Sequence, residues 1–406
     1  MRIDSEKRHA ITVYYESTDI GGVSSVIAMV INGTAETYPT VLISRKSHSL
    51  QKWYEAFGAR NVQVVTSALR NRLDLLGWLD VPHLFTSLKI IRRTKVLHCH
   101  LHTTFSCIPI IILAGIFTKA KIVVTEHYVT QLKFLRRRKL SLIASLVRET
   151  KIAVLLFLKR ISFRFIDRIV TVSESNRVFM IETFGRRIES KLTVIANGID
   201  TSRYTEDREV TADHDVNHRA DSRTVVVVAG LNNQKGHEYL FHAIPIILRK
   251  IHDARFRLVG DGHLRSHLEN LTETLGIKNS VEFMGFRADV VDIIRSSDLF
   301  VLPSIFEGMP LSVIEAMACG KAVVATGVDG TADVMVDNIT GYLVPPKDPE
   351  QLAQRIIKLL ESDELRTQFG AAGRKRACEL FSTDRMVKDY KKLYDELFED
   401  FISTRK

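Results

Sequence analysis

The sequence has no run of about 20 consecutive apolar residues, the length a helix needs to cross a bilayer. Its longest apolar stretches, residues 107–117 and 152–158, fall well short. Four cysteines, at positions 99, 107, 319 and 378, include no C-x-x-C pair. That argues against a disulfide scaffold or structural zinc site and for a reducing compartment. The first ten residues, MRIDSEKRHA, contain no apolar core of signal-peptide length, so a cytoplasmic location is expected. There is no solenoid-period repeat and no low-complexity tract. The phosphate-binding loop G-x-x-x-x-G-K-[ST] and a full G-x-G-x-x-G are both missing. What remains is 406 residues with 45% hydrophobic and 26% charged content, a soluble globular composition long enough for two ordinary domains.

The net charge of +10 is unevenly placed. Residues 1–200 carry 30 Lys and Arg against 15 Asp and Glu, whereas residues 201–406 carry 27 against 32. A basic first half points to an anionic partner. The charge is densest over residues 133–164, with ten Lys and Arg, one acid (Glu149) and interleaved apolar residues such as Phe134, Leu146, Phe157 and Phe163. Two readings fit this stretch: an interfacial patch lying on anionic lipid, or a solvated basic helix face above a buried stripe.

Short β-branched runs alternate with helical stretches along the whole chain. In the first half they fall at 11–15, 41–44, 62–65, 96–100, 122–125, 169–173 and 192–196. The pattern restarts at 224–229, 255–259, 281–284, 299–303, 322–326 and 342–344. Several are continuously apolar, as expected of parallel strands buried on both faces. The alternation predicts an α/β chain of two doubly wound domains. Residues 201–223 are polar and mark the boundary. Residues 382–401 predict an amphipathic helix with Met386, Tyr390, Leu393 and Leu397 on one face.

The richest segment is residues 306–320, FEGMPLSVIEAMACG, after a predicted strand. Pro310 suits a first helical position and Gly320 the residue past the end, giving a helix of about ten residues. Its free amides near Gly308, Met309 and Leu311 would face the carboxyl end of the strand, where open α/β sheets bind ligands. An anion such as a diphosphate fits there. Glu307 precedes the helix and Glu315 lies inside it, so the two carboxylates can meet different parts of one extended ligand. After the first strand of the second half comes Ala229-Gly230-Leu231-Asn232-Asn233-Gln234-Lys235-Gly236, where Lys235 can reach phosphate oxygens as a point charge. In the first half, Gly21 and Gly22 follow the first strand and allow close approach of backbone to a ligand. His98, His100 and His102 alternate along a strand and share one face. The lack of a matching carboxylate or cysteine weakens a zinc reading of them. His127 ends another strand, where it can donate to a sugar hydroxyl.

Taken in order, residues 21–25 (GGVSS), 124–127 (VTEH), 170–175 (VTVSES), 194–200 (VIANGID), 231–236 (LNNQKG), 259–262 (VGDG), 307–326 (EGMPLSVIEAMACGKAVVAT) and 339–349 (ITGYLVPPKDP) resemble retaining glycosyltransferases of family 4. The resemblance spans nearly the whole chain. It implies the GT-B fold, with two Rossmann-like domains facing a central cleft. Residues 1–200 would bind the acceptor, 201–222 form the linker and 223–380 bind the nucleotide sugar, with 381–406 crossing back onto the first domain. It implies that Glu307 contacts the donor sugar and Glu315 the ribose hydroxyls. Gly308, Met309, Pro310 and Leu311 would line the sugar and phosphate, and Lys235 would hold the leaving diphosphate. His127 would stand beside the reactive face, and Gly21 and Gly22 under the diphosphate. Catalytic roles thus fall to Glu307, Lys235 and His127.

The family often has an arginine where Gly230 stands, so a clamp of two cations is reduced to one here. A second departure is Val328-Asp329-Gly330 with Asp333, where a glycine-rich turn and a glutamate are more usual. The implied reaction moves a sugar from a UDP- or GDP-linked donor to a hydroxyl of a lipid-linked or growing glycan, such as capsule or lipopolysaccharide. It needs no cofactor or metal, and the acceptor membrane would be met from the cytoplasmic face. Alternatives are a catalytically weak GT-B scaffold, a nucleotide-sugar epimerase or a phosphorylase. A nucleic-acid partner is disfavoured because no nucleic-acid module is present.

Overall fold

The computed structural model describes residues 11–15, 22–45, 62–67, 81–101, 107–127, 142–205 and 223–403. They form two compact units, Met1–Ala196 with Asp384–Lys406, and Asn197–Thr383.

The first unit is built on a parallel sheet of seven strands: β1 (Ile11–Tyr15), β2 (Thr40–Arg45), β3 (Val62–Ser67), β4 (Val96–Leu101), β5 (Lys121–Glu126), β6 (Arg168–Thr171) and β7 (Leu192–Val194). Their spatial order is β3-β2-β1-β4-β5-β6-β7. Neighbours run in parallel register, for example Tyr15 opposite His100 and His100 opposite Thr125. One sheet face carries an apolar core of Tyr14, Leu97, Cys99, Val124 and Ile169, which packs with Ile110, Ile111 and Phe163 from the covering helices. The continuous apolar runs of the sequence are therefore strands buried on both sides.

The helix Thr383–Ser403 belongs mostly to this first unit. Met386, Tyr390, Leu393, Tyr394, Leu397 and Phe401 form its buried stripe. Its polar anchors are specific. Tyr38 donates to Asp395 Oδ1 at 2.5 Å, and the Tyr394 hydroxyl lies 2.6 Å from His98 Nδ1.

The second unit has strands β8 (Thr224–Val228), β9 (Arg255–Val259), β10 (Val281–Gly285), β11 (Leu299–Leu302), β12 (Val323–Thr326) and β13 (Gly341–Val344), in the order β10-β9-β8-β11-β12-β13. Strand order reverses between β8 and β11, so the loops leaving these two strands open a crevice at their carboxyl ends. The boundary between units falls at Ala196, ahead of the polar stretch. Ile199 is already bridged to Ser382, with Ile199 N–H on Phe381 O at 2.9 Å and Thr383 N–H on Ile199 O at 2.8 Å. Residues 206–222, most of the expected linker, lie outside the described residues.

Among the described residues no helix is long and apolar enough to cross a membrane. The basic stretch needs a correction. Residues 133–141 lie outside the described set, and the helix Leu142–Ser162 follows. Lys159 is no surface cation: it is buried, and its ammonium donates to the equally buried Glu126 carboxylate. That removes one charge from the surface and turns it into a core ion pair.

Candidate active site

The crevice of the second unit gathers the residues singled out in the sequence. The loop after β8 forms a short 3-10 turn, Asn233–Lys235, capped by Asn232, whose side chain accepts from Gln234 N–H at 3.0 Å. Gly236 then turns with φ +62°, and a Cβ there would lie 2.2 Å from the carbonyl oxygen of Pro303. Only glycine lets the β8 and β11 loops approach this closely. Ile305 N–H donates across to Gln234 O at 2.7 Å and locks the two loops together.

Glu307 sits at the centre of this contact and is 2% exposed. Its Oε1 accepts from Lys235 Nζ at 2.6 Å and from Ser304 Oγ at 2.6 Å; its Oε2 faces Gln234 Nε2 at 3.4 Å. The buried carboxylate is thus paired and hydrogen-bonded, the condition under which burying a charge is tolerable. Ser304 is held in turn, its carbonyl accepting from Thr326 Oγ1 at 2.5 Å. From the β12 side, Gly330 closes the loop; a Cβ there would lie 1.8 Å from Gly308 O. Gln234 and Ser304 were not expected from the sequence as part of the site. Their polar type and nearness to Lys235 and Glu307 were the available signals.

The helix after Glu307 is shorter than its sequence suggested. It spans Leu311–Ala318, with Pro310 as its N-cap at φ −76°, ψ 106°. Pro310 keeps an extended ψ while its carbonyl takes the first helical bond from Ile314 N–H at 3.4 Å, which is the definition of a cap. Two residues, Cys319 and Gly320 (φ +72°), close the other end. The amides ahead of that first bond, on Leu311, Ser312 and Val313, are those a helix start offers an anion. Pro310 has none to give. Met309 is tucked in, its Sδ 3.1 Å from Asn197 N–H.

Glu315 lies one turn inside this helix, half-buried. Its Oε1 accepts from the hydroxyl of Tyr204 at 3.0 Å. Burial raises the Glu315 pKa, and the Tyr204 hydrogen bond and nearby Arg203 oppose that rise. Tyr204 comes from the short helix Ser202–Thr205 and was not a sequence candidate. His237, just after Lys235 and Gly236, is buried with its pKa lowered to about 4 by burial and by Lys235. It is therefore neutral at pH 7.

The remaining candidates belong to the first unit. Gly21 lies outside the described residues; Gly22 opens the helix Gly22–Thr34 and is exposed. His127 follows β5 directly and is 3% exposed. Its Nε2 lies 3.2 Å from His100 Nδ1, and the two rings stack with centroids 5.5 Å apart. His98 is bound to Tyr394 and, through Nε2, to Thr125 Oγ1 at 2.7 Å. Burial lowers the pKa of His98 to about 3 and that of His100 well below normal. Both are neutral members of a buried hydrogen-bonded network. His102 lies outside the described residues.

A strand-end carboxylate ringed by donors, a helix start beside it and a second carboxylate one turn on define a site for an extended, anionic, hydroxyl-bearing ligand. Comparison with known proteins gives that class a family. The family model for glycosyltransferase family 4 matches residues 20–203, and that for glycosyl transferases group 1 matches residues 210–376. An uncharacterized glycosyltransferase of Methanocaldococcus jannaschii is 31% identical over 235 residues, covering 56% of this chain and 59% of that protein. The N,N'-diacetylbacillosaminyl-diphospho-undecaprenol alpha-1,3-N-acetylgalactosaminyltransferase of Campylobacter jejuni is 30% identical over 251 residues, covering 60% and 64%. The chain thus spans about 60% of the length of these curated relatives. Anabaena HepE, solved in complex with UDP, superposes with a TM-score of 0.79 at 20% identity, covering 95% of this chain and 100% of HepE. The fold is GT-B, and the chain belongs to the family 4, group 1 glycosyltransferases.

Proposed function

We propose that the protein transfers a sugar, with retention of anomeric configuration, from a UDP- or GDP-linked donor to a hydroxyl of a lipid-linked or growing glycan in cell-surface polysaccharide synthesis. The observation that carries this reading is Glu307, held by Lys235, Ser304 and Gln234 beside a helix start at the reversal of strand order. HepE has been solved with UDP-glucose, and the Campylobacter relative is named for an undecaprenol-linked acceptor; both agree with this choice of donor and acceptor.

In this reading the donor sugar lies against Glu307, and its ribose hydroxyls donate to Glu315. As the glycosidic bond breaks, negative charge grows on the diphosphate. The Leu311, Ser312 and Val313 amides face that charge and are already in place, so they stabilise it without reorganising; the Lys235 ammonium adds a positive charge. Lys235 is the adjustable part: it leaves or shares Glu307 to reach phosphate. No carboxylate serves as a covalent nucleophile; the leaving phosphate takes the acceptor proton, and the two-carboxylate scheme of hydrolases does not apply. No metal is needed for this chemistry.

Thermal shift with UDP-, GDP- and ADP-sugars identifies the donor, and release of nucleoside diphosphate that depends on added acceptor establishes transfer. Epimerisation without acceptor, or donor binding with no turnover, would overturn the proposal.

Gly230 gives a prediction of its own. A Cβ at this position meets nothing nearer than 3.4 Å, and Arg265 on the neighbouring helix is held by Asp261 at 3.2 Å and Glu269 at 2.9 Å. Gly230→Arg is accommodated and adds a second cation to the diphosphate site. A transition-state donor of this kind is worth about 2–4 kcal/mol, so kcat is expected to rise by roughly tenfold or more, read from steady-state kinetics with the preferred donor.

The acceptor reading carries a membrane surface with it. Phe85, Ile116, Phe117, Val154 and Phe157 are more than half exposed. They lie on the helices Val81–Ile91, Ile108–Phe117 and Leu142–Ser162 of the first unit. A recess of ≈ 430 Å³ is lined by Gly115 and Thr118, by Lys119, Lys121 and Arg164, and by Asp167, which pairs with Lys121 at 3.3 Å. Exposed apolar side chains on a unit that also carries surplus Lys and Arg suit an anionic bilayer. Replacing Phe117 and Phe157 together by Asp is expected to cut co-sedimentation with phosphatidylglycerol vesicles by roughly tenfold or more, with donor binding unchanged. Equal co-sedimentation would remove the membrane from the proposal.

A further inference from the structure

The segment that joins the two units supplies a side chain to the second carboxylate of the site. Asn197 N–H meets Met309 Sδ, Ile199 is bridged to Ser382, and three residues later the short helix Ser202–Thr205 begins and delivers Tyr204 to Glu315. A carboxylate has about four acceptor positions, and Tyr204 takes one of those on Oε1. It leaves the other positions for hydroxyl donors while holding the group in one orientation. Burial and the neighbouring carboxylate raise the Tyr204 pKa far above its ordinary value, so the hydroxyl remains a donor throughout the working pH range.

We infer that Tyr204 is the positioning residue of the nucleoside pocket: its hydroxyl fixes the Glu315 carboxylate in the orientation that reads the two ribose hydroxyls of the bound nucleotide. The inference rests on the reading of the second unit as a nucleotide-sugar site and adds a residue to it. Two adjacent ribose hydroxyls need two acceptors at a set spacing and angle. A carboxylate free to rotate about its last bond provides them only part of the time, and ordering it on binding weakens affinity. The Tyr204 hydrogen bond settles that ordering before the ligand arrives. Because the ribose is remote from the bond that breaks, the contribution is to binding and falls on KM for the donor, with kcat little changed.

The test uses the full chain, UDP and GDP, and the 2′-deoxy and 3′-deoxy forms of whichever binds. A hydrogen bond to a charged group implies that Tyr204→Phe weakens nucleotide binding by about tenfold, measured by titration calorimetry. The decisive reading is the discrimination ratio. Wild-type protein is expected to prefer the ribonucleotide over its deoxy forms by roughly tenfold, and Tyr204→Phe to lose most of that preference. In a Glu315→Gln background, Tyr204→Phe is expected to add no further loss, because the carboxylate it positions is gone. An unchanged discrimination ratio in Tyr204→Phe, or an equal loss in both backgrounds, would show that Tyr204 merely anchors the segment and would overturn the inference. A wild-type protein that binds neither nucleotide would instead overturn the reading of the site itself.

Discussion

Glu307→Ala is expected to reduce transfer to background, by roughly a thousandfold or more in kcat, with the fold retained. Glu307 is where three donors converge: Lys235, Ser304 and Gln234. Removing it has two consequences of opposite sign. Lys235 loses the Glu307 carboxylate, 2.6 Å away, and becomes freer to meet phosphate, so binding of the bare nucleoside diphosphate is expected to hold or improve. The donor sugar, however, loses the acceptor that orients it, and orientation is worth more to the chemical step than to ground-state binding. The signature is therefore a collapse of kcat with the Kd for UDP or GDP unchanged or lowered. Lys235→Ala should give the complementary pattern, weakening diphosphate binding as well as kcat, because the ammonium faces the group whose charge grows. Melting temperature checks that both variants are folded. A folded Glu307→Ala protein with full activity would remove Glu307 from the mechanism.

The parts of the fold that were legible in the sequence share one physical cause. Parallel strands buried on both faces must be continuously apolar, so runs such as residues 224–229 and 299–303 announce themselves and their ends are set by the loss of that pattern. The structure places strands at every one of these runs, with shifts of one or two residues at their ends. Glu307, Lys235 and Glu315 were legible because they stand at fixed distances from strand ends and a helix start. Three features were not. Tyr204 follows a strandless segment, and its partner is 111 residues away in sequence, so no local period points to it. Pro310 reads equally well as a cap or a first helical residue; the choice depends on ψ, which the surrounding loop decides. Lys159 sits among ten basic residues of which the pattern marks none as special. Its burial follows from facing the β5 strand end, a tertiary fact.

Lys159→Met is expected to destabilise the first unit by about 3–5 kcal/mol at neutral pH. Lys159 and Glu126 each have a side-chain exposure of 1%, and Glu126 Oε2 has no hydrogen-bond partner among the described residues. Taking away the ammonium leaves a carboxylate in the core with its main compensation gone. The pH dependence follows from the sign of the shift. Burial raises the Glu126 pKa above the ordinary carboxylate value, while the charge and hydrogen bond of Lys159 pull it back down. In the variant only the raising cause remains, so the folded protein binds a proton that the unfolded chain gives up. A carboxyl group whose folded pKa lies above its unfolded one favours folding fully below the unfolded value, and this stability is lost as pH rises through the folded value. The stability gap between Lys159→Met and wild type should therefore be widest at pH 8 and narrow steadily towards pH 5, as read from urea unfolding at each pH. Adding Glu126→Gln should recover much of the loss and flatten the pH dependence, since a neutral pair of similar shape removes the desolvated charge. A Lys159→Met protein as stable as wild type at pH 8 would mean that the pair contributes nothing to the core of this domain.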